Sequence, residues 1–431
     1  YTFPPAFPIR LFSRLRRHGS RSIAWRAGFA SNDFLRFYDY INKAFSSKKL
    51  SMNLRDYNSA SKRRKALEKT LGLELPRLGE FTLDESVASY RNCENMIGAA
   101  QIPVGIAGPL RVKGTEFDGD FYLPLATTEG ALVASVNRGC KAITESGGAN
   151  AISHRVGMTR GPVFYTGSIK KSNQLYKWLK ENKKKIADAS EKTSKHLKFE
   201  KFDIRTQGPY VYVRFYFNTG DAMGMNMATI ASQSLTELIE KETGAKCLSV
   251  AGNYDIDKKP AWLNFINNRG FKVWAEIVLK KEVLEDVLKT TAEKFFEVWL
   301  AKCMIGSAMS GSLGFNAQYA NIIAALFIAT GQDPAHVVEG SMGITTAKVL
   351  NRDLLVSVYL PALNIGTVGG GTALATQQEA LKILGVAGGG KVEKFAEVIA
   401  GAVLAGEISL LSSLSEGTLA KAHEKLGRGL K

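Results

Sequence analysis

Apolar positions recur in distinct styles along this chain, and the style changes mark its organisation. Between 50 and 95 they are sparse among charges. There Leu67, Leu71 and Leu73 follow a basic run of Lys62, Arg63, Arg64 and Lys65, which reads as helix-prone. From 96 to 168 glycine and β-branched residues dominate, with turn signals at Gly98, Gly105, Gly108-Pro109, Gly147-Gly148 and Gly161-Pro162. From 163 to 249 the pattern looks like a separate unit. Phe164 and Tyr165 predict a short strand. Leu175, Trp178, Leu179, Ile186 and Leu197 recur through a lysine-rich stretch and predict one or two amphipathic helices. The β-branched and aromatic run 210–217 predicts a strand, 221–243 a long helix and 247–250 another strand. This is a small α/β insertion between the halves of its host. Residues 251–410 return to glycine and alanine, with apolar helices expected at 283–300, 317–330 and 393–411. The last residues, with Gly417, Gly427 and Gly429, fit a mobile tail.

Composition bounds this reading without replacing it. The chain has 431 residues, 45% of them hydrophobic, enough for more than one core. Cys93, Cys140, Cys247 and Cys303 are far apart and form no CxxC pair, so neither a disulfide framework nor a zinc site is indicated. The scattered histidines give no HExxH, and no metal is assigned. The net charge of +17 fits either attraction to a polyanion or a solvated basic surface. The first thirty residues hold six arginines (positions 10, 14, 16, 17, 21 and 26) and no acid, the composition of a mitochondrial presequence or a disordered basic tail. A mitochondrial location is therefore expected, a cytosolic one otherwise. The longest apolar segment, 398–406, stops at Glu407, short of a membrane span, so a soluble chain is expected.

Six constellations could carry chemistry. Gly220-Asp-Ala-Met-Gly-Met-Asn226 lies between a strand and a helix, where backbone N–H groups and a positive helix end could face a phosphate; alone it reads as a structural turn. Gly366-Thr-Val-Gly-Gly-Gly-Thr372 lets a backbone or planar ring approach closely, or is a plain flexible loop. Asp255-Ile-Asp-Lys-Lys-Pro260 is a surface ion-pair cluster, or aims one lysine at a developing oxyanion. Glu129, in Ala126-Thr-Thr-Glu-Gly130, either caps a helix or sits desolvated as a general acid. Asp333 is a helix-end acid, and His423 stands near the carboxy terminus.

Taken in order, these segments resemble one family. Glu94-Asn-Met-Ile-Gly98, Ile102-Pro-Val-Gly-Ile-Ala-Gly-Pro109, Ala126 to Gly130, Gly157-Met-Thr-Arg-Gly-Pro162, Gly220 to Asn226, Gly252-Asn-Tyr254, Asp257-Lys-Lys-Pro260, Gly306-Ser-Ala-Met309, Gly331-Gln-Asp333 and Gly366 to Thr372 look like HMG-CoA reductase in its eukaryotic form, over roughly residues 85–425. The resemblance implies an α+β fold, with a large mixed substrate domain (96–162 and 250–410) and an inserted small ferredoxin-like dinucleotide domain (163–249). It also implies a helical region at 46–95, a basic segment at 1–45 and a flap at 411–431.

The family reduces 3-hydroxy-3-methylglutaryl-CoA to mevalonate with two NADPH. The resemblance implies that Lys258 stabilises the carbonyl oxygen, Glu129 donates a proton, Asp333 tunes both and His423 protonates the departing thiolate. It places Arg160, Asn253, Asp257, Lys259 and Asn321 on the hydroxymethylglutaryl group and Ser135, Asn137 and Arg138 on the CoA side. Asp221, Met223, Gly224, Met225, Asn226, Val368, Gly369, Gly370 and Gly371 fall on the dinucleotide side, with Ser194 and Lys195 at the 2′-phosphate, which favours NADP. Ala251 replaces a frequent serine and Gln318 a usual histidine, while Gly429 lies where animal forms carry a regulatory phosphoserine. A homodimer or homotetramer is expected. Two alternatives stand: an NAD-dependent degradative reductase, and a basic nucleic-acid-binding protein on an inactive scaffold. Against the last, only Tyr176, Trp178 and Phe199 interleave the lysines of 170–201.

Overall fold

The computed structural model describes residues 53–417. The basic segment 1–45, His423 and residues 418–431 lie outside them. The described residues fall into two compact units, 53–80 with Asn95–Gly98, and Phe81–Glu94 with 99–417.

In the first unit, a helix over Ala60–Leu71 is capped by the Ser59 hydroxyl and ends at Gly72, which takes the left-handed conformation. The basic run on this helix has a structural use. The Arg63 guanidinium donates to the carbonyls of Leu54 and Met96, and Arg64 to that of Ile97.

Among the described residues, the second unit is built on one ten-stranded sheet. Strands β1 (Val104–Lys113) and β2 (Asp118–Ala126) form an antiparallel hairpin. Helix α1 (Leu132–Glu145) follows, then β3 (Ala149–Arg160). Strand β3 pairs over residues 150–157 with the strand Gly270–Leu279 and over 158–160 with the strand Tyr210–Asn218, so it is shared by two parts of the sheet.

The small domain runs β4 (Val163–Tyr165), α2 (Ile169–Glu181), α3 (Lys183–Glu191), β5 (Lys198–Gln207), β6 (Tyr210–Asn218), α4 (Met225–Thr243) and β7 (Lys246–Ser249). Its strand order, β7-β4-β6-β5, is the ferredoxin-like arrangement. Strand β5 is absent from the hydrophobic pattern for a physical reason. A register shift between Phe199 and Lys201 breaks its alternation, and Lys198, Glu200, Lys201 and Asp203 dilute its apolar face.

The glycine- and alanine-rich style of 251–410 conceals three further strands, β8 (Gly270–Leu279), β9 (Ile344–Leu350) and β10 (Asp353–Leu363). The helix expected at 283–300 is interrupted. Lys289 adopts a positive φ, and a new helix, α5 (Ala292–Trp299), starts at the Thr291 cap and passes into a π-helical turn over Leu300–Gly306. Helix α6 (Tyr319–Thr330) leads to Asp333.

Helix α7 (Val392–Ser415) is buried along almost its whole length and packs on α1, β3, β8 and β10. Gly139 of α1 allows this contact, because a Cβ there would lie 1.9 Å from the Ala405 carbonyl. Among the described residues, α7 is the helix long and apolar enough to cross a membrane, yet here it is the central core helix. It also runs to Ser415, so the first residues of the expected flap are helical.

Candidate active site

The loop that follows β7 is held in an unusual backbone. Asn253, Ile256 and Lys258 all adopt positive φ, which costs a non-glycine residue free energy and persists only when surroundings impose it. The surroundings are visible. Glu339, wholly buried, accepts the Lys258 backbone N–H. Arg160 donates to Asp255 at 3.1 Å and to Thr229 of α4 at 2.7 Å. Gly161 and Asp255 touch so closely that a Cβ on Gly161 would lie 2.5 Å from the Asp255 nitrogen.

This backbone presents the Lys258 ammonium to Asp333, Nζ to Oδ2 at 2.8 Å. Asp333 is fixed from the other side, since its Oδ1 accepts the Ala335 N–H as the cap of a short 3₁₀ turn. Burial alone would raise the Asp333 carboxyl. The Lys258 hydrogen bond, the Ala335 N–H and the charge of His336 outweigh burial and hold it below the ordinary value. Asp333 is thus kept as a carboxylate that keeps its lysine in place.

Asp333 also borders a cavity of about 490 Å³. Met223, Gly224, Met225 and Asn226 line one side, and Val368, Gly369, Gly370 and Gly371 the other. The two glycine-bearing loops meet backbone to backbone. Ala222 and Val368 form a bridge, and the Thr367 N–H donates to the Asp221 carbonyl at 2.8 Å. Gln332 clamps the second loop, giving and receiving hydrogen bonds with Gly366 at 3.0 and 2.8 Å. Helix α4 begins at Gly224 without a side-chain cap, so its first N–H groups remain available at the cavity. The Asp221 carboxylate is used elsewhere, accepting the N–H groups of Lys391 and Val392 at the start of α7. Ser194 stands one layer back, 3.7 Å from the sulfur of Met227, and Lys195 is exposed.

Beneath the Lys258 loop lies a polar network that sequence reasoning missed. The Arg269 guanidinium, fully buried, donates to both Glu339 oxygens at 2.9 and 2.7 Å, to Asp257 at 3.1 Å and to Thr159 at 2.8 Å. His336, also fully buried, sits between Asp257, Asp333 and Glu339. Asp257, His336 and Glu339 converge closely enough to suit a cation. Arg269 already engages both Glu339 oxygens, so a metal ion would have to displace a guanidinium. A signal for part of this network existed in the sequence, because Asp333, His336 and Glu339 recur at helical spacing on one face. Lys302 was missed as well. From the π-helical turn it lines a groove with Pro260, Gln318 and Asn321.

Other expected site residues are spread more widely. Glu129 is exposed and meets the Asn321 amide at 3.4 Å. Asn321 is in the first turn of α6, about 14 Å along the helix axis from its last residue. Among the described residues, no hydrogen bond or ion pair joins the Glu129–Asn321 pair to Lys258–Asp333. Lys259 turns back to the Asp257 carbonyl, and Asn253 is exposed. Ser135 and Arg138 bond Ser409 on α7, and Asn137 accepts the Gly108 N–H; all three have structural partners here. Gln318 ties its side chain to the Gly406 carbonyl, and Ser249 caps the turn that holds Ala251.

The pattern of the family described as Hydroxymethylglutaryl-coenzyme A reductase matches residues 59–428. The chain belongs to that family. The 3-hydroxy-3-methylglutaryl-coenzyme A reductase of Methanothermobacter thermautotrophicus is 53% identical over 368 residues, 85% of this chain and 93% of that protein. Its counterpart in Methanocaldococcus jannaschii is 50% identical, over 85% of this chain and 92% of that protein. The Catharanthus roseus enzyme is 43% identical and matched over 63% of its length. Among solved structures, the class II 3-hydroxy-3-methylglutaryl-CoA reductase from Streptococcus pneumoniae bound to NADPH shares the fold, with a TM-score of 0.63 at 18% identity over 90% of this chain and 97% of that one. In this reductase-family chain the two glycine loops meet backbone to backbone, and Lys258 pairs with Asp333, which borders the cavity.

Proposed function

We propose that this chain reduces HMG-CoA to mevalonate and CoA with two NADPH, supplying mevalonate for isoprenoid and sterol synthesis. The observation that carries the reading is the Lys258–Asp333 pair at the edge of a cavity walled by two glycine loops and an uncapped helix start. NADPH, when bound, supplies hydride. The chain's own residues supply the rest. Lys258 meets the thioester oxygen as charge grows on it, and Asp333 holds that ammonium in place. Protonation gives a hemithioacetal. Loss of CoA thiol, with His423 as the proton source, leaves an aldehyde that accepts the second hydride and a proton. Lys259 and Arg160 suit the free carboxylate of the substrate. Glu129 is the proton donor. Its place beside Asn321, at the far end of α6 from Asp333, makes a second copy of the chain the natural source of this group, which fits a homodimer or homotetramer.

Preference for NADPH over NADH rests on Lys195, exposed next to Ser194 behind the cavity wall. Lys195→Ala is expected to raise the KM for NADPH about tenfold, the worth of one charged hydrogen bond, and to leave NADH kinetics unchanged. Steady-state rates with each cofactor check this. A wild-type preference for NADH would replace this reading with the degradative one.

A further inference from the structure

The acids around the Lys258 loop outnumber its permanent cations. Asp255, Asp257, Asp333 and Glu339 face Arg160, Arg269 and Lys258, with ion-pair distances between 2.7 and 3.7 Å. Lys259 only reaches the Asp257 backbone from solvent. One negative charge is therefore unmatched in a largely buried cluster, which is costly in a low-dielectric setting. The group at its centre is His336. Its ring has no exposure, and both nitrogens look at carboxylates. Nδ1 lies 3.6 Å from Glu339 Oε1, with the Asn364 amide at 3.4 Å. Nε2 lies 3.8 Å from both Asp257 Oδ1 and Asp333 Oδ2 and has no hydrogen-bond partner among the described residues. A buried ring nitrogen without a partner, between two acids that would each accept its proton, is a poor choice for mere packing.

We propose that His336 is a positioning residue for the reduction: its ring proton supplies the fourth positive charge of the cluster and keeps Asp333 ionised and turned toward Lys258. The inference rests on the reductase reading and adds to it a residue that acts through Asp333. Imidazole is the side chain in this cluster that can take up a proton to balance the fourth acid. While the ring is charged it disfavours a proton on Asp333, and the Lys258–Asp333 pair survives to lower pH. With a neutral side chain in its place, Asp333 takes up its proton at higher pH, and Lys258 loses its partner there.

The test is the pH dependence of kcat for wild type and His336→Gln. In the variant the acid limb is expected to move up by about one pH unit, the effect of one charge about 4 Å away in a water-like dielectric. An acid limb in the same place, or a loss of rate uniform across pH, overturns the proposal. Should His336→Gln fail to fold, nitrogen NMR of the wild-type histidine rings decides. Protons on both nitrogens of the buried ring at pH 6 support the assignment, and a neutral ring at pH 5 overturns it. The ring titration reads the same whether or not the wild type turns over HMG-CoA, so failure of the reductase reading is seen separately as absent turnover.

Discussion

Lys258→Ala is expected to lower kcat by about 10²- to 10³-fold, the loss seen when one preorganised oxyanion donor is removed. The size follows from how much structure serves this one ammonium. Three residues of its loop adopt positive φ, Glu339 takes its backbone N–H, and Asp333 holds its Nζ at 2.8 Å. A cation fixed before the substrate arrives needs no reorganisation as charge develops, which is why its removal acts on kcat more than on KM. Steady-state NADPH oxidation with HMG-CoA checks this, beside circular dichroism to show that the variant is folded. A kcat within about tenfold of wild type would show that the oxyanion is held by another group, with Lys302 in the adjoining groove the first to examine.

The largest expected effect on stability lies one layer deeper. Glu339→Ala leaves the fully buried Arg269 guanidinium without its main partner, and breaking such a pair costs about 3–5 kcal/mol. Urea unfolding of Glu339→Ala should show that loss. Arg269→Met with Glu339→Leu should recover a good part of it, because neither charge is then stranded. Acid should act on the same pair. Burial pushes the Glu339 carboxyl up, but Arg269 and His336 pull it below its ordinary value of 4.5. A depressed folded value means that this contribution is complete above pH 4.5 and is lost as pH falls through the folded value. The expected result is a drop in urea midpoint below pH 4.5 that Glu339→Ala no longer shows. Equal acid sensitivity in both proteins would place the acid-labile group elsewhere.

Much of this was legible in the chain, and the rest was hidden for identifiable reasons. Apolar runs gave the small inserted unit and the helices that became α4, α6 and α7, because burial on one face or all round leaves a direct trace in sequence. Strand β5 was hidden by a bulge, and β8 by the glycine-rich style around it, although Phe271, Val273, Ala275, Ile277 and Leu279 alternate as a buried face. The resemblance put the two glycine loops on the dinucleotide side and Asp333 beside Lys258 as expectations. It could not show that Asp221 caps α7 with its carboxylate, or that Ser135 and Arg138 bond that helix, since those partners are remote in sequence. Arg269 was invisible for the same reason. Its partners Thr159, Asp257 and Glu339 come from three separate segments, and only the fold brings them together.

The most direct measurement is the absorbance at 340 nm of NADPH mixed with HMG-CoA and the wild-type protein, with the product identified. The predicted result is two NADPH oxidised for each HMG-CoA consumed, with mevalonate and free CoA formed, because a thioester needs two hydrides to reach an alcohol. A folded protein that consumes no NADPH under these conditions would contradict the account. The Lys258–Asp333 pair and the glycine-loop cavity would then be the inheritance of a reductase fold that no longer performs the reaction.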